Sequence, residues 1–124
     1  MLTPEEKRFF ADIALGASRL SRCDTQKGAV LINGRQIQSY GFNRKIMNWE
    51  ISAIYDAIFG AKDVNMSNFV LFSNYFPHLN DMILIVSVGI TIIYFFGDIT
   101  DTEAVKFANG LKDESIPLEI INLK

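Results

Sequence analysis

The chain has 124 residues, of which 49% are hydrophobic and 21% charged, a size and mixture typical of one compact globular domain over residues 1–124. A domain of this length can bury a core without disulfides or a structural metal. Cys23 is the only cysteine, and the first residues carry neither the charged region nor the cleavage site of a secretion signal. We therefore expect a cytoplasmic protein without an intramolecular disulfide.

The formal net charge of −2 is unevenly distributed along the chain. Residues 1–50 carry eight Lys or Arg against five acids, whereas the remainder carries four against nine. A mildly basic half within an acidic chain favours one small anion as a ligand, because an extended nucleic-acid backbone needs a broad basic face. Ordinary solvated charge is the alternative interpretation. We expect no extended nucleic acid as a partner.

Predicted helices and strands alternate along the chain. In order, they are a helix from 3 to about 20, strands at 28–32 and 36–41, a helix at 48–59, a strand at 68–72, a helix that opens at 77, a strand at 90–96, a helix at 101–111 and a strand at 118–123. Thr3 and Glu6 predict a capping box around Pro4 at the first helical position. Asn33-Gly34 is the strongest short hairpin signal and predicts that the first two strands pair.

The run 82–96 is the most apolar stretch of the chain. It is short for a membrane crossing, and Gly89 divides it into a helical half and a β-branched and aromatic half. We interpret the run as a buried helix that leads into a buried strand, and we expect no membrane association.

The order of elements indicates the fold class. Strands separated by single helices imply right-handed crossovers and a mostly parallel sheet covered on both faces, and the initial hairpin supplies an antiparallel edge. We predict an α/β protein, a three-layer α/β/α sandwich around a five-stranded mixed sheet.

Several short strings lie at the predicted strand and helix ends. They are Ser21-Arg22-Cys23 with Lys27-Gly28-Ala29-Val30, Gly41-Phe42-Asn43, Glu50-Ile51-Ser52-Ala53-Ile54 and Phe76-Pro77. In order and spacing they resemble the zinc-dependent cytidine and deoxycytidylate deaminases over nearly the whole chain. The string at Glu50 resembles the stretch that begins with the glutamate of the family's His-Ala-Glu motif, and Phe76-Pro77 resembles the start of its Pro-Cys-x-x-Cys motif. The resemblance implies a cytidine-deaminase-like fold.

The resemblance also implies where a zinc site would lie. In such deaminases a His and two Cys hold Zn²⁺, which activates water for attack on the base, and a glutamate shuttles protons. Carried onto this chain, the ligand positions are Asn48, His78 and Asp81, and the shuttle is Glu50. All three ligand positions depart from the family's residues, and the loss of two thiolates removes the charge and softness that favour zinc. We therefore expect no cofactor.

Each of these residues also has a structural interpretation. Asn48 would cap the helix that carries Glu50 in its first turn, while His78 and Asp81 would hydrogen-bond and stabilise the start of the next helix. The competing interpretation is a metal site formed by Asn48, His78 and Asp81, in which Glu50 keeps its proton-shuttle role.

Four residues around this position are predicted to bind a ligand. Asn43 resembles the family residue that contacts the nucleoside sugar, although it is also an ordinary turn residue. Trp49 stands where the family has a small alanine, so its indole either fills the space of a base or stacks on a base or a partner. Arg44 and Lys45 lie in the short connection 43–48 and form a basic rim.

The predicted function is that of a catalytically degenerate deaminase, a binding, regulatory or assembly subunit for a nucleotide or a protein partner. Self-association is expected, because relatives commonly assemble through faces of their helices. Compact relatives of this kind are common in phages. The alternative is a working hydrolytic deaminase of cytidine or deoxycytidylate, with zinc at Asn48, His78 and Asp81.

Overall fold

The computed structural model describes residues 1–63 and 65–124. Helices and strands alternate much as predicted. They are α1 (Pro4–Ser18), β1 (Gly28–Asn33), β2 (Gln36–Phe42), β3 (Arg44–Ile46), β4 (Trp49–Ile51), α2 (Ala53–Ala61), β5 (Phe69–Ser73), α3 (Leu79–Val88), β6 (Ile92–Phe95), α4 (Thr102–Asp113) and β7 (Glu119–Asn122). Of the helices in the described residues, none combines the length and the apolar character that a membrane crossing requires.

Five strands form one mixed sheet in the order β2-β1-β5-β6-β7, and β3 and β4 form a separate two-stranded sheet. β5, β6 and β7 are parallel, as the single-helix crossovers predicted. The predicted hairpin is confirmed, with β2 at the sheet edge. β1 is antiparallel to β5 as well as to β2, because α2 carries the chain from β2 across β1 to β5 in the same direction as β2.

The sheet separates two hydrophobic clusters, which confirms the three-layer sandwich. Successive residues of β1 alternate between its faces, so that Val30 and Ile32 pack with Phe10 and Ala14 of α1, whereas Leu31 faces the other way. The cluster on that second face contains the buried residues of α2, α3 and α4, namely Ala53, Ile54, Ala57, Ile58, Met82, Ile85 and Ala104. α1 therefore covers one face of the sheet, and the other three helices cover the opposite face.

The prediction of a helix over 48–59 was wrong at its start. Residues 44–51 form the β3–β4 hairpin, in which Ile46 pairs with Trp49 and Met47 takes a positive φ of 58° at the turn. α2 begins only after Ser52, whose hydroxyl accepts a hydrogen bond from the Tyr55 amide at 3.0 Å. A serine in extended conformation is a strong N-cap, so the helix begins there. Asn48 therefore does not cap α2, and Glu50 does not lie in its first turn.

Gly28 allows α1 to approach the sheet closely, and we predict that Gly28→Ala destabilises the domain by about 3 kcal/mol. A Cβ at this position would lie 2.1 Å from the Ala14 carbonyl oxygen and 2.4 Å from the Ser18 amide nitrogen, both of them backbone atoms of α1. Chemical denaturation measures the change. Gly16→Ala on the same helix is the control, because its Cβ would have no neighbour within 4 Å; it should stabilise the protein by about 0.5–1 kcal/mol. Equal effects of the two substitutions would contradict the steric explanation.

Candidate functional site

The starts of α2 and α3 are joined through one buried carboxylate. Asp81 is 1% exposed, and its Oδ1 accepts a hydrogen bond from the Ser52 hydroxyl at 2.5 Å. Its Oδ2 accepts from the Tyr75 hydroxyl at 3.2 Å and from the His78 backbone amide at 3.0 Å. These four residues, Ser52, Tyr75, His78 and Asp81, are called the Asp81 cluster below. The predicted role of Asp81 at the start of a helix is confirmed, since it is the third residue of α3.

Each of the two hydroxyls in the Asp81 cluster donates one hydrogen bond and accepts another. While donating to Asp81, Ser52 Oγ accepts from the Tyr55 amide, and Tyr75 Oη accepts from the Ile54 amide at 3.2 Å. Burial raises the pKa of Tyr75 well above its ordinary value, and the carboxylate of Asp81 raises it further. Tyr75 therefore stays protonated and donates at neutral pH. In the described residues, no buried side-chain nitrogen or oxygen lacks a hydrogen-bond partner.

The imidazole of His78 lies between a lysine and an aspartate. Its Nε2 is 2.9 Å from Lys27 Nζ, and its Nδ1 is 3.8 Å from Asp101 Oδ2. Because a lysine ammonium can only donate, Nε2 is the acceptor and the ring proton is assigned to Nδ1, toward Asp101. Hydrogen bonds from the backbone amides of Ala104 and then Leu79 lower the pKa of Asp101, so this carboxylate stays charged beside the ring.

A cleft of about 410 Å³ opens beside the Asp81 cluster. Its lining consists of Glu50, Ile51, Ser52, Tyr55, His78, Asn80 and Asp81. The structure thus brings together three of the predicted catalytic or ligand positions, namely Glu50, His78 and Asp81. Asn48 is exposed in the turn of the hairpin and does not line this cleft. Trp49 is 77% exposed and does not line it either, so the expectation that its indole fills the space of a base was wrong.

The residue that faces Asp81 from the second helix is Ser52 rather than Asn48. Ser52-Ala53-Ile54 opens α2 and keeps the middle alanine of the His-Ala-Glu motif, a signal in the sequence that could have identified this register. In this register Ser52 takes the histidine position, and the glutamate position is Ile54, which is fully buried. Sequence reasoning also missed Tyr75, because nothing in the chain's pattern indicated that its hydroxyl would reach Asp81.

Asn43 and the basic rim lie beside a different cleft, of about 510 Å³. Arg44 and Lys45 line it, and Arg44 is paired with Asp56 at 2.6 Å. Asn43 is 1% exposed, and its amide accepts from the Lys27 backbone N–H at 2.9 Å and donates to the Thr25 carbonyl at 2.8 Å. In this structure Asn43 therefore fastens the loop before β1 to the end of β2.

The residues at the helix starts do not fit a zinc ion. Both carboxylate oxygens of Asp81 already accept hydrogen bonds, and Nε2 of His78 is directed at an ammonium group, which a metal cation would have to displace. The third side chain, Ser52, offers a neutral hydroxyl where zinc prefers imidazole or thiolate. In residues 1–63 and 65–124, no group of three or more His, Cys, Asp or Glu side chains is arranged to hold a metal ion.

Solved structures with this architecture include several deaminases. The dCMP deaminase from the cyanophage S-TIM5 in apo form matches with a TM-score of 0.81 at 18% identity, covering 98% of this chain and 100% of that one. Its complex with dCMP and dUMP matches with a TM-score of 0.84 at 17% identity, covering 99% and 100%. The cytidine deaminase from Burkholderia pseudomallei gives 0.59 at 15% identity, covering 69% and 79%. No protein-family model and no curated protein matches the chain.

The chain therefore has the fold of the cytidine and deoxycytidylate deaminases, as its short strings implied.

Proposed function

We propose that this chain is a deaminase-fold protein that acts by binding a nucleotide or a protein partner and does not deaminate a base. The observation that carries the proposal is that the polar groups of the Asp81 cluster already hydrogen-bond within the protein. Hydrolytic deamination of a base needs an activated water and a group that moves protons. At the position where these would meet, the hydroxyls of Ser52 and Tyr75 both donate hydrogen bonds to the carboxylate of Asp81.

The position of Glu50 does not favour a catalytic role. It lies on the exposed β4 strand and pairs with Lys45 across the hairpin, while the first turn of α2, where the motif's glutamate would fall, carries the buried Ile54. A carboxylate that serves as a general base must reach the proton it removes. Glu50 lines the cleft, so it can contribute a polar contact to a bound ligand there.

Two features support a binding role. Concave surfaces of about 410 and 510 Å³ lie on either side of the hairpin's base, within the size range of small-molecule sites. On the hairpin itself, Ile46, Met47 and Trp49 are exposed and form an apolar surface of the kind that protein partners cover. The similar cyanophage enzyme was solved with dCMP and dUMP, which makes nucleotides the first ligands to test.

Metal content and turnover, measured on protein purified without chelator, test the proposal. We expect far less than one zinc per chain and no deamination of dCMP or cytidine. Zinc near one per chain, together with turnover that Glu50→Ala abolishes, would overturn the proposal. That outcome would establish the rival function, a metal-dependent deaminase. Ile51→Ala in the same cleft serves as the control for non-specific loss of activity.

A further inference from the structure

Three large apolar side chains are exposed together on the β3–β4 hairpin. Trp49 is 77% exposed, Met47 89% and Ile46 55%, and these three residues are called the hairpin patch below. Together they present on the order of 400 Å² of surface, about the size at which an exposed apolar patch marks an interaction site on a soluble protein. The hairpin patch therefore indicates an interface with another macromolecule.

The two faces of the hairpin differ in character. Ile46 and Trp49 lie directly opposite each other in the β3–β4 register, so their side chains project from the same face. Lys45 and Glu50 form the next pair and project from the other face. Met47 lies in the turn between the two strands. One face of the hairpin is thus apolar at its tip, and the charged pair lies on the opposite face.

The charges around the hairpin patch cancel. Arg44 forms an ion pair with Asp56 at 2.6 Å, and Lys45 lies opposite Glu50 across the hairpin. A surface without net charge can meet an identical surface without like-charge repulsion, and it offers little attraction to a strongly acidic or basic partner. The charge of this region therefore favours a second copy of the chain as the partner.

The helices offer no comparable surface. In the part of the chain that the structure describes, α1, α2 and α3 each expose a single large apolar side chain, namely Phe9, Phe59 and Ile83, and α4 exposes none. Single apolar side chains on a surface are ordinary and need no partner. The helix faces that the family resemblance implied for self-association therefore lack a patch of this kind.

The size of the hairpin patch indicates how tightly two copies would associate. Two patches that face each other across a two-fold axis bury about 800 Å², and the adjoining hairpin surface brings the total to about 1,200 Å², the lower end for specific interfaces. An interface of this size supports a weak, reversible dimer. We propose that the chain forms a two-fold homodimer in which the hairpin patches of the two copies pack against each other; this proposal rests on the binding role proposed above and names its partner.

Trp49 is the only tryptophan of the chain, so its fluorescence reports on the hairpin patch. Sedimentation velocity of the full chain over roughly 1–500 μM measures self-association. We expect a monomer–dimer equilibrium with a Kd of about 10–100 μM. The emission of Trp49 should move to shorter wavelength with the same concentration dependence, because the dimer removes the indole from water. A protein that stays monomeric, or a dimer that forms without this change in emission, would overturn the proposal.

Paired variants locate the interface. Met47→Ser with Trp49→Ser should weaken dimerisation at least about tenfold, because each dimer loses four buried apolar side chains. Phe9→Ser with Ile83→Ser removes exposed apolar surface from α1 and α3 instead and should leave the Kd within about twofold. None of these four side chains, all within the residues that the structure describes, belongs to the two hydrophobic clusters, so both variants should keep the circular dichroism of the unmodified protein.

Two results with these variants would contradict the hairpin dimer: a greater loss of dimer in the helix variant, or an equal loss in both. The failure of this inference is distinguishable from the failure of the proposed function. Zinc near one per chain together with turnover overturns the function, whatever the state of association. A metal-free, inactive protein that remains monomeric overturns only the hairpin dimer.

Discussion

Replacement of Ser52 by His, and of His78 and Asp81 by Cys, is expected to turn the Asp81 cluster into a zinc site that holds about one metal ion per chain. Ser52 already contacts Asp81 across the two helix starts, and residue 78 lies in the same turn of the chain. One imidazole and two thiolates supply the ligand types that zinc prefers, and the nearby Lys27 ammonium favours the thiolate form of residue 78. Metal analysis and competition with a chelator measure the result.

The matched control for this prediction places the histidine at the position inferred from sequence. The control variant combines Asn48→His with His78→Cys and Asp81→Cys. It contains the same new groups, but residue 48 lies in the exposed turn of the hairpin. We expect zinc affinity at least about a hundredfold lower in this variant, because only two ligands converge. Tighter binding by the Asn48 variant would show that the register at Ser52 is wrong.

Asp81→Ala is expected to lower the free energy of unfolding by about 3–5 kcal/mol. The substitution leaves the hydroxyls of Ser52 and Tyr75 and the backbone amide of His78 without their shared acceptor in a buried position. Unsatisfied buried donors are more costly than the loss of the hydrogen bonds alone would suggest. Urea denaturation followed by circular dichroism measures the change.

Two further variants distinguish the stability lost with the Asp81 carboxylate from the stability lost with neighbouring groups. Asn80→Ala alters the exposed neighbour of Asp81 in the same helical turn and should cost less than about 1 kcal/mol. Ser52→Ala removes one donor and the cap of α2, and an intermediate loss of about 1–2 kcal/mol is expected. If Asp81→Ala proved no more destabilising than Asn80→Ala, the Asp81 cluster would not be a stabilising element.

The elements of this fold that sequence reasoning recovered are those specified by nearby residues. The capping box of Thr3 and Glu6 forms as predicted, and Gly34 adopts the positive φ of 63° that the Asn-Gly turn requires. Gly89, which divides the apolar run, ends α3 with a φ of 90°. The antiparallel pairing of β1 with β5 was not predicted, because it joins residues about forty positions apart and depends on the crossover of α2.

The candidate site was predicted less well, because helical periodicity does not mark where a helix begins. The apolar spacing of Ile51, Ile54 and Ile58 begins before α2 does, so the helix was predicted to start too early, at Asn48. The serine N-cap at Ser52 was the better signal for the boundary. The hydrogen bond from Tyr75 to Asp81 is a tertiary contact that no local sequence pattern indicates.

The β3–β4 hairpin is joined to the domain mainly at its two ends, and its strands pair chiefly with each other. Ile46, Met47 and Trp49 contribute nothing to the two clusters that hold the sheet and helices together. Substitutions of these three residues therefore leave the packing of the interior intact, so this part of the hairpin can change in sequence without disturbing the core. In a lineage that shares this fold, the hairpin is where specificity can diverge at the smallest risk to folding.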